Sequence, residues 1–484
     1  MAPVNLNDLL TILPAVFIVV WACVLLLVDA FAGALGKRLT PWLTALGLVV
    51  ALVLDVSAAG VQASAFNGML EVDGFSHAIN VLVLGAGLLS FFVSYDYLNR
   101  QGIAKGEYYI LMLFSISGMM LMGAAADLIV VFLAVELLSI PLYILAAFAQ
   151  PEPKSEEAGL KYFLLGAFAG GFLLYGVALV YGATASTRLS EIVAAVAAGL
   201  ENPIFLLLGA ALILIGLGFK VAAVPFHMWT PDVYEGAPSS VTAFMAVGAK
   251  VGGFAALLRV FIVAFPSLGV DLAPVLTGVV AATLIVGNVA AIAQRNIKRL
   301  LAYSSISHAG FILMAIVPYA DDAVHRDTAA AALFYLLAFA LTSFGAWAVV
   351  MTLERAEGKG LELSDYAGLF RKYPALALAM LVFMLSFAGV PPTLGFAGKF
   401  FLFRAVLEGG YVGLAVLGVL TSLVSAYYYL RVVVIMFMEE GKPQAAGSPL
   451  LNLTTGLTAL GTVGLFFFSQ PLLDWATNAL LRLF

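Results

Sequence analysis

The sequence predicts an all-α polytopic membrane protein with about fourteen transmembrane helices. The chain of 484 residues is 63% hydrophobic and 11% charged, with a mean hydropathy of +1.07, whereas soluble domains carry roughly 25% charged residues. Apolar runs of about 20 residues recur along the chain, and a helix of that length crosses ~30 Å of hydrocarbon. A soluble fold could not hide this much apolar surface, because much of any folded surface stays exposed.

The predicted helices follow from these apolar runs. They cover approximately residues 9–30, 41–60, 75–97, 107–125, 127–149, 160–182, 204–226, 240–264, 272–293, 300–318, 329–353, 374–408, 412–436 and 450–472. The first is expected to be retained, because no Lys or Arg precedes it as in a secretory signal. The run at 374–408 is too long for one straight span, and the run that begins at 204 stays hydrophobic beyond a proline. Both are predicted to be interrupted helices.

The order of the helices predicts an internal repeat. An N-terminal three-helix segment, 1–106, precedes a five-helix repeat at 107–264, a second five-helix repeat at 265–436 and a C-terminal helix at 437–484. Because five is odd, the second repeat is expected to run through the membrane inverted relative to the first. Inverted repeats with paired broken helices are typical of transporters.

A proline break lies in the fourth helix of each predicted repeat. Pro225 follows Lys220 in the first, and Pro391 and Pro392 precede Lys399 in the second. Proline removes an amide donor and clashes with the preceding turn. The freed carbonyl groups at membrane depth must be satisfied by water, side chains or neighbouring helices. The two breaks are therefore predicted to be hydrated points on a proton pathway.

The positive residues predict the orientation, because cytoplasmic loops carry an excess of Lys and Arg. Loops on the side opposite to the termini hold Lys37, Arg38, Arg100, Lys105, Lys154, Arg295, Lys298, Arg299, Arg355, Lys359, Arg371, Lys372 and Lys442. Loops on the side of the termini hold only Arg188, Arg326 and Arg482. Both termini are expected on the non-cytoplasmic side of a bacterial inner membrane.

Several functions find no support in the sequence. The single cysteine, Cys23, excludes a cysteine-ligated iron–sulfur cluster within the chain. No P-loop pattern supplies an ATP site, and no basic patch indicates nucleic acid. His77 and His325 are expected near loops, without the spacing of a metal-ligand set. The chain is therefore expected to bind no cofactor itself.

Four charged residues lie inside apolar runs, where a charge costs roughly 2.5–3.5 kcal/mol. They are Glu136, Lys220, Lys250 and Lys399. One interpretation is a static ion pair that joins helices, with Glu136 and Lys220 as partners. However, one glutamate cannot neutralise three lysines. Because burial lowers a lysine pKa, a partly buried row of lysines can exchange protons, and we predict a proton relay.

Two histidines and a fourth lysine are candidates for the same relay. His227 follows the first proline break, and His308 lies in a polar stretch of an otherwise apolar helix. Histidine titrates near neutral pH and shuttles protons, although each histidine is equally interpreted as a satisfied buried residue. Lys161, at the start of the sixth helix, either joins the relay or extends towards the interface. Three arginines nearer helix ends are expected to be interfacial anchors: Arg259, Arg404 and Arg431.

Two segments resemble signatures of a known family. Residues 216–238, GLGFKVAAVPFHMWTPDVYEGAP, and residues 295–311, RNIKRLLAYSSISHAGF, are similar to segments of the antiporter-like membrane subunits of respiratory complex I, NADH:quinone oxidoreductase. The resemblance extends over about 107–436. The fourteen helices and the short C-terminal end are most similar to the subunit N branch of that family.

The resemblance implies roles for the candidate residues. It implies that Glu136 pairs with Lys220, that Lys250 continues the path and that Lys399 delivers protons to the far side, although some members carry glutamate at the last position. It places two further candidates in a hydrated central axis: His227 and His308. It also implies that NADH, FMN, iron–sulfur clusters and quinone bind to other subunits. The implied partners are neighbouring antiporter-like subunits, small membrane subunits, lipid, water and protons.

Two alternatives remain open. The chain is also interpretable as a subunit of a multi-subunit Na+/H+ antiporter or a membrane-bound hydrogenase, which would share the helices and lysines. The second alternative is a structural scaffold whose buried charges only hold helices together.

Overall fold

The fold is described for residues 5–321, 323–355 and 358–480, without the side chains of residues 34 and 37, in a computed structural model. Two basic groups used above for the orientation, the Lys37 side chain and Arg482, lie outside these described parts. The α-helices are Leu6–Thr11 (α1), Leu13–Phe31 (α2), Gly33–Ser57 (α3), Gly74–Arg100 (α4), Gly106–Ala124 (α5), Leu128–Ala146 (α6), Pro153–Thr184 (α7), Leu189–Ala198 (α8), Pro203–Val221 (α9), Trp229–Gly236 (α10), Ser239–Phe244 (α11), Lys250–Ala264 (α12), Gly269–Ile292 (α13), Ile297–Met314 (α14), His325–Leu353 (α15), Leu369–Lys372 (α16), Pro374–Ala388 (α17), Leu394–Glu408 (α18), Val412–Met438 (α19), Pro449–Gly464 (α20) and Ser469–Leu480 (α21).

The prediction of an all-α polytopic membrane protein is confirmed. Within the described residues, 12 helices are long and apolar enough to cross a membrane. The two remaining predicted spans also form helices. One is α14, which carries the polar stretch around His308, and the other is the interrupted pair α17 and α18. The division into two inverted repeats stays a prediction.

Both predicted helix interruptions are present. Helix α9 ends at Val221, and Ala222 has the left-handed φ of 63° that closes the helix. Helix α17 ends in the same way at Ala388, and the following Gly389 has a φ of 83°. The chain then restarts at α18, where the Thr393 side chain accepts a hydrogen bond from the Phe396 amide, as an N-cap residue does.

Some predicted boundaries were wrong. The first helix is divided at Ile12 into α1 and α2, next to Pro14, because proline cannot continue a helix without losing a hydrogen bond. The helix predicted for 41–60 begins earlier, at Gly33. The last predicted helix, 450–472, is interrupted by a 3₁₀ turn at Leu465–Phe468 and continues to Leu480.

A short hairpin on the side of the termini was not predicted. Strand Ala63–Ala65 (β1) pairs antiparallel with Leu70–Val72 (β2). Its turn contains Phe66 and Asn67 at φ of 50° and 55°. Two three-residue strands are too short to give the alternating pattern by which strands are recognised in a sequence.

Two helical segments form the centre of the protein. One is the continuous segment α11, a π-helical turn at Met245–Ala249, and α12; the other is α15. Both are buried along almost their whole length, as expected for helices that are hydrophobic on every side. Lys250, which lies in the first segment, is therefore in the interior. His308, on α14, lies in the interior too, next to Phe339 of α15.

Candidate functional site

The three predicted lysines are all buried in the protein interior. The exposed fractions of Lys220, Lys250 and Lys399 are 3%, 2% and 4%. This observation excludes an interfacial position for any of them, because a lysine that extends to the interface keeps its ammonium group in water.

Lys220 lies in a cage of aromatic residues. Its Nζ donates a hydrogen bond of 3.1 Å to the Tyr143 hydroxyl. The rings of Tyr143 and Phe219 have their centres 5.3 Å from Nζ, and that of Tyr162 lies at 5.9 Å. These are distances at which ring faces attract a cation. Tyr162 in turn stacks on Trp229, with ring centres 4.4 Å apart.

The predicted pairing of Glu136 with Lys220 was wrong as a direct contact. No ion pair joins the two side chains in the described part of the chain, and Lys220 instead contacts Tyr143. Glu136 is half-buried on α6 and faces α7. A Cβ atom added to Gly170 would lie 2.8 Å from Glu136 Oε1. The carboxylate therefore occupies space that only a glycine leaves open.

The first helix interruption is closed by side chains from other elements. The Trp229 indole donates a hydrogen bond of 3.0 Å to the carbonyl oxygen of Phe219, at the end of α9. The Val224 amide donates to the Thr283 hydroxyl over 2.9 Å. His227 lies in the same interruption and is half-buried, and its Nδ1 has no hydrogen-bond partner among the described residues. These contacts satisfy backbone groups that the broken helix leaves free.

Lys250 directly follows the π-helical turn in the central segment. Its Nζ donates a hydrogen bond to the backbone carbonyl of Ser305 on α14. The centre of the Phe339 ring lies 5.6 Å from Nζ. Single π-helical turns inside helices are frequent at functional sites. Here the turn precedes the one charged residue of the segment that faces α14.

His308 is the centre of a hydrogen-bonded chain. Its Nδ1 lies 2.7 Å from the Tyr335 hydroxyl and its Nε2 3.1 Å from the Tyr429 hydroxyl. The Tyr429 hydroxyl is 2.5 Å from that of Ser304. Every member of this chain both donates and accepts protons. The arrangement is therefore suited to passing a proton from group to group.

Lys399 closes the end of the second broken helix. Its Nζ donates to the carbonyl oxygens of Phe387 and Ala388 over 2.9 and 3.1 Å, and to the Ser422 hydroxyl over 2.7 Å. The centre of the Phe311 ring lies 4.6 Å from Nζ. A cation at a helix C-terminus is favoured by the helix dipole. All three ammonium protons are directed at neutral acceptors.

The structure connects Lys250, His308 and Lys399. The His308 ring lies 5.2 Å from the Phe339 ring, which contacts Lys250, and 5.0 Å from the Phe387 ring. The Phe387 carbonyl is the one that Lys399 binds. His308 thus lies between Lys250 and Lys399.

Lys220 approaches the same row through the helix that carries Lys250. A Cβ atom added to Gly253, one turn beyond Lys250, would lie 3.4 Å from Lys220 Cβ. The two lysines are therefore carried by helices in direct contact. We name Lys220, Lys250, His308 and Lys399 the buried row.

Lys161 lies outside the buried row. Its side chain is 42% exposed, and its Nζ is 2.7 Å from both Glu157 and Asp232. Asp232, on α10, also binds Arg299 at 2.9 Å. Lys161 thus belongs to a surface network that holds α10 to α7 and α14.

One predicted interfacial anchor is deeply buried. Arg259 was expected near a helix end, but it is 3% exposed and forms a two-pronged ion pair with Asp73 at 2.6 and 2.9 Å. Its Nε also donates to the Gly123 carbonyl over 3.2 Å. No local pattern predicts this pair, because Asp73 precedes α4 and is 186 residues away. Arg404, in contrast, is largely exposed and pairs with Glu408.

Comparison with known proteins places the chain in a family. A profile described as NADH:quinone oxidoreductase/Mrp antiporter, TM, matches residues 125–425, a range that includes all seven predicted relay residues. The chain belongs to this family. The resemblance noted for residues 216–238 and 295–311 is thereby confirmed.

Members of the NADH:quinone oxidoreductase/Mrp antiporter family match over nearly the whole chain. NADH-quinone oxidoreductase subunit N of Chloroflexus aggregans is 47% identical over 98% of this chain and 98% of the relative. NADH-quinone oxidoreductase subunit N 2 of Roseiflexus castenholzii is 45% identical over 95% of this chain and 94% of the relative.

Solved structures of the family share the fold. A chain of respiratory complex I from Thermus thermophilus has 37% identity and a TM-score of 0.81, over 95% of this chain and 98% of that chain. A chain of the Mrp complex from a Dietzia species has 21% identity and a TM-score of 0.86, over 98% of this chain and 97% of that chain. At 21% identity, the similarity to the Mrp chain concerns the fold alone.

Proposed function

We propose that this chain is a proton-translocating membrane subunit of an NADH:quinone oxidoreductase, in which electron transfer from NADH to quinone in other subunits drives protons across the membrane. The observation that carries the proposal is the buried row. Lys250 and Lys399 lie on either side of His308, and each is hydrogen-bonded to neutral groups near the histidine. The subunit N relatives support the assignment to this enzyme complex.

The partners of the lysines argue against a static scaffold. Among the described residues, Lys220, Lys250 and Lys399 form no ion pair, and their hydrogen-bond acceptors are hydroxyl and carbonyl oxygens. A buried ammonium group without a counter-charge is costly. A static scaffold would pair each of these charges with an acidic side chain, whereas a relay uses neutral hydrogen-bonding groups to pass protons.

Each group has a role in the proposed proton movement. Lys220 holds a proton in its aromatic cage and passes it through water to Lys250. Lys250 passes it to the chain of Tyr335, His308 and Tyr429, and Lys399 releases it at the second interruption. Histidine suits the middle position because both ring nitrogens exchange protons near neutral pH.

Glu136 is proposed to control Lys220. Its carboxylate faces Gly170 here, and among the described residues Lys220 has no counter-charge. Rotation of the carboxylate towards Lys220 would supply that counter-charge. We also propose that Lys161 and His227 act at the edge of the row, Lys161 by holding Asp232 on α10 and His227 by exchanging protons with water in the first interruption.

The enzyme complex supplies what this chain lacks. NADH, FMN, iron–sulfur clusters and quinone are proposed to bind to other subunits, and the neighbours of this chain are proposed to be other antiporter-like and small membrane subunits. The excess of Lys and Arg opposite the termini supports termini on the non-cytoplasmic side of a bacterial inner membrane.

A multi-subunit Na+/H+ antiporter is the second candidate. The Mrp complex has the same fold, with a TM-score of 0.86. The identity of 45–47% to subunit N relatives, over almost the full chain, favours the oxidoreductase.

Replacement of Lys250 tests the function. In the complete enzyme complex reconstituted into liposomes, Lys250→Met is expected to lower proton pumping by about a hundredfold, the lower limit for a lost proton-transfer group. The control is Lys442→Met, which removes an exposed lysine and is expected to leave pumping unchanged. Wild-type pumping by an assembled Lys250→Met complex would refute the proposed function.

A further inference from the structure

A second group of buried polar residues lies apart from the buried row, near the loops that carry Arg100, Arg295 and Arg355. Glu354 directly follows α15 and is only 6% exposed. The Tyr97 hydroxyl donates a hydrogen bond of 3.1 Å to Glu354 Oε1. The other carboxylate oxygen, Oε2, has no hydrogen-bond partner in the described parts of the chain. A buried carboxylate oxygen without a protein partner requires water or a proton.

Lys298 supplies a buried positive charge near Glu354. It is 2% exposed, although the sequence places it among loop residues, and its Nζ donates to the Ala237 carbonyl over 2.7 Å. It interacts electrostatically with Glu354 without forming an ion pair. Because Lys298 Nζ is bound to the Ala237 carbonyl, it leaves Glu354 Oε2 without a direct protein partner among the described residues.

The Tyr97 hydroxyl connects Glu354 to the helix that carries Lys250. It accepts a hydrogen bond of 3.1 Å from the Ser239 amide, at the first residue of α11. Lys250 lies 11 residues further along the same continuous helical segment, which corresponds to about 16 Å. Glu354 and Lys250 thus lie at opposite ends of one short stretch of buried helix.

Buried hydroxyl groups lie at both ends of this stretch. They belong to Ser239, Ser240, Thr230 and Ser305, and three of them adjoin tyrosine hydroxyls: Ser239 lies beside Tyr97, Ser240 beside Tyr108 and Ser305 beside Tyr234. Ser305 is the residue whose carbonyl binds Lys250. Buried polar groups of this kind are normally satisfied by ordered water. These hydroxyls are therefore available to bind water at both ends of the stretch.

Helix α14 also carries polar residues at both ends of this stretch. On α14, Lys298 and Ser305 are seven residues apart, so two helical turns place them on one face about 10 Å from each other. One end of this face adjoins Glu354 and the other adjoins Lys250. The interior stretch therefore has polar groups from both helices at each of its two ends.

From this arrangement we propose that Glu354 is the proton-uptake residue that loads Lys250 from the side of the protein carrying Arg100, Arg295 and Arg355. Glu354 Oε2 accepts a proton from water, while Tyr97 holds Oε1. The proton then passes through water bound to the hydroxyls of Ser239, Ser240 and Ser305 to Lys250 Nζ. The inference rests on the proposed function, since it requires Lys250 to move protons.

The test uses the complete enzyme complex in liposomes, with NADH oxidation and proton pumping measured together. Glu354→Gln is expected to lower the pumping rate at least about tenfold. This is less than the ~100-fold loss expected when a general acid–base group is removed. Formate, a small diffusible acid, is expected to restore a large part of the rate, because it carries protons in place of the carboxylate. Glu439→Gln, which removes an exposed carboxylate, is the control and is expected to pump normally without formate.

A purely structural role predicts a different pattern. An assembled Glu354→Gln complex with wild-type pumping, or one whose slow pumping does not respond to formate, would overturn the inference. If Glu354→Gln does not assemble, Tyr97→Phe decides, since it removes only the hydroxyl that orients Glu354. Slower pumping restored by formate supports uptake through Glu354, and wild-type pumping overturns it.

The Lys250→Met variant separates the two proposals. Wild-type pumping by Lys250→Met refutes the proposed function itself. Loss of pumping in Lys250→Met together with normal pumping in Glu354→Gln refutes only the uptake role of Glu354.

Discussion

The ammonium group of Lys399 lies 2.9 Å from the backbone carbonyl oxygen of Phe387, so that a lysine of one half-helix closes the end of the other. The first interruption is closed differently. There the Trp229 indole binds the Phe219 carbonyl, and Lys220 turns to the Tyr143 hydroxyl. The two broken helices thus differ in the group that satisfies their last carbonyls. Only at the second does a lysine ammonium group bind the helix end directly.

Gly389 makes the close approach of Lys399 possible. An added Cβ atom would lie 2.8 Å from Lys399 Cδ, and the residue has a φ of 83°. We expect Gly389→Ala to displace Lys399 from the end of α17. Proton pumping by the reconstituted complex should fall at least about tenfold, since displacement breaks charged hydrogen bonds worth about 1.5–3 kcal/mol each.

Gly410→Ala provides a matched control for that change. Gly410 has a similar φ of 80°, but an added Cβ atom would meet nothing within 4 Å. Both variants carry the same left-handed alanine, which costs about 1–2 kcal/mol. Equal pumping in the two variants would show that contact with Lys399 is irrelevant.

Tyr429 provides the hydroxyl between His308 and Ser304. Tyr429→Phe keeps the ring and removes the two hydrogen bonds, at 3.1 and 2.5 Å. We expect pumping to decrease about tenfold, because the loss of a buried hydrogen-bond partner costs about 1–3 kcal/mol. The control is Tyr366→Phe, since the buried Tyr366 hydroxyl has no hydrogen-bond partner in the described ranges. A Tyr429→Phe complex that pumps like the control would remove Tyr429 from the path.

Gly170 leaves space for the Glu136 carboxylate. Gly170→Ala would bring a Cβ atom within 2.8 Å of Glu136 Oε1, whereas the adjacent Gly171→Ala would meet nothing within 4 Å. Because alanine is the better helix former by about 0.5–1 kcal/mol, neither change should destabilise α7 through its backbone. We expect pumping to fall severalfold only in Gly170→Ala, measured as the initial rate of acidification after NADH addition. Identical rates in the two variants would mean that the position of Glu136 does not matter.

The sequence predicted the members of the buried row because each charge stands inside an apolar run. The apolar residues on both sides of Lys220, Lys250 and Lys399 predict that all three are buried. The prolines near Lys220 and Lys399 predict the two helix interruptions. The contact of Lys220 was not predictable in the same way. Glu136 and Tyr143 both lie on α6, and only the packing of α6 against α7 and α9 determines that the tyrosine, not the glutamate, meets the lysine.

Polar residues next to helix ends were the least predictable. Arg259, Lys298 and Glu354 all stand where the sequence indicates an interface or a loop. Their burial depends on distant segments: Asp73 binds Arg259, Ala237 binds Lys298 and Tyr97 binds Glu354. Contacts of this kind leave no local pattern in the sequence, because their partners are 61 to 257 residues away.

The π-helical turn before Lys250 determines the directions of the side chains that follow it in α12. One additional residue in a helix changes the angular position of later side chains by about 100°. Without that residue, Lys250 would turn away from Ser305 and Arg259 would turn away from Asp73 at the same time. The one extra residue of the π-helical turn thus determines the directions of both Lys250, at the protein centre, and Arg259, near its edge. Neither side chain can change direction through this turn without the other.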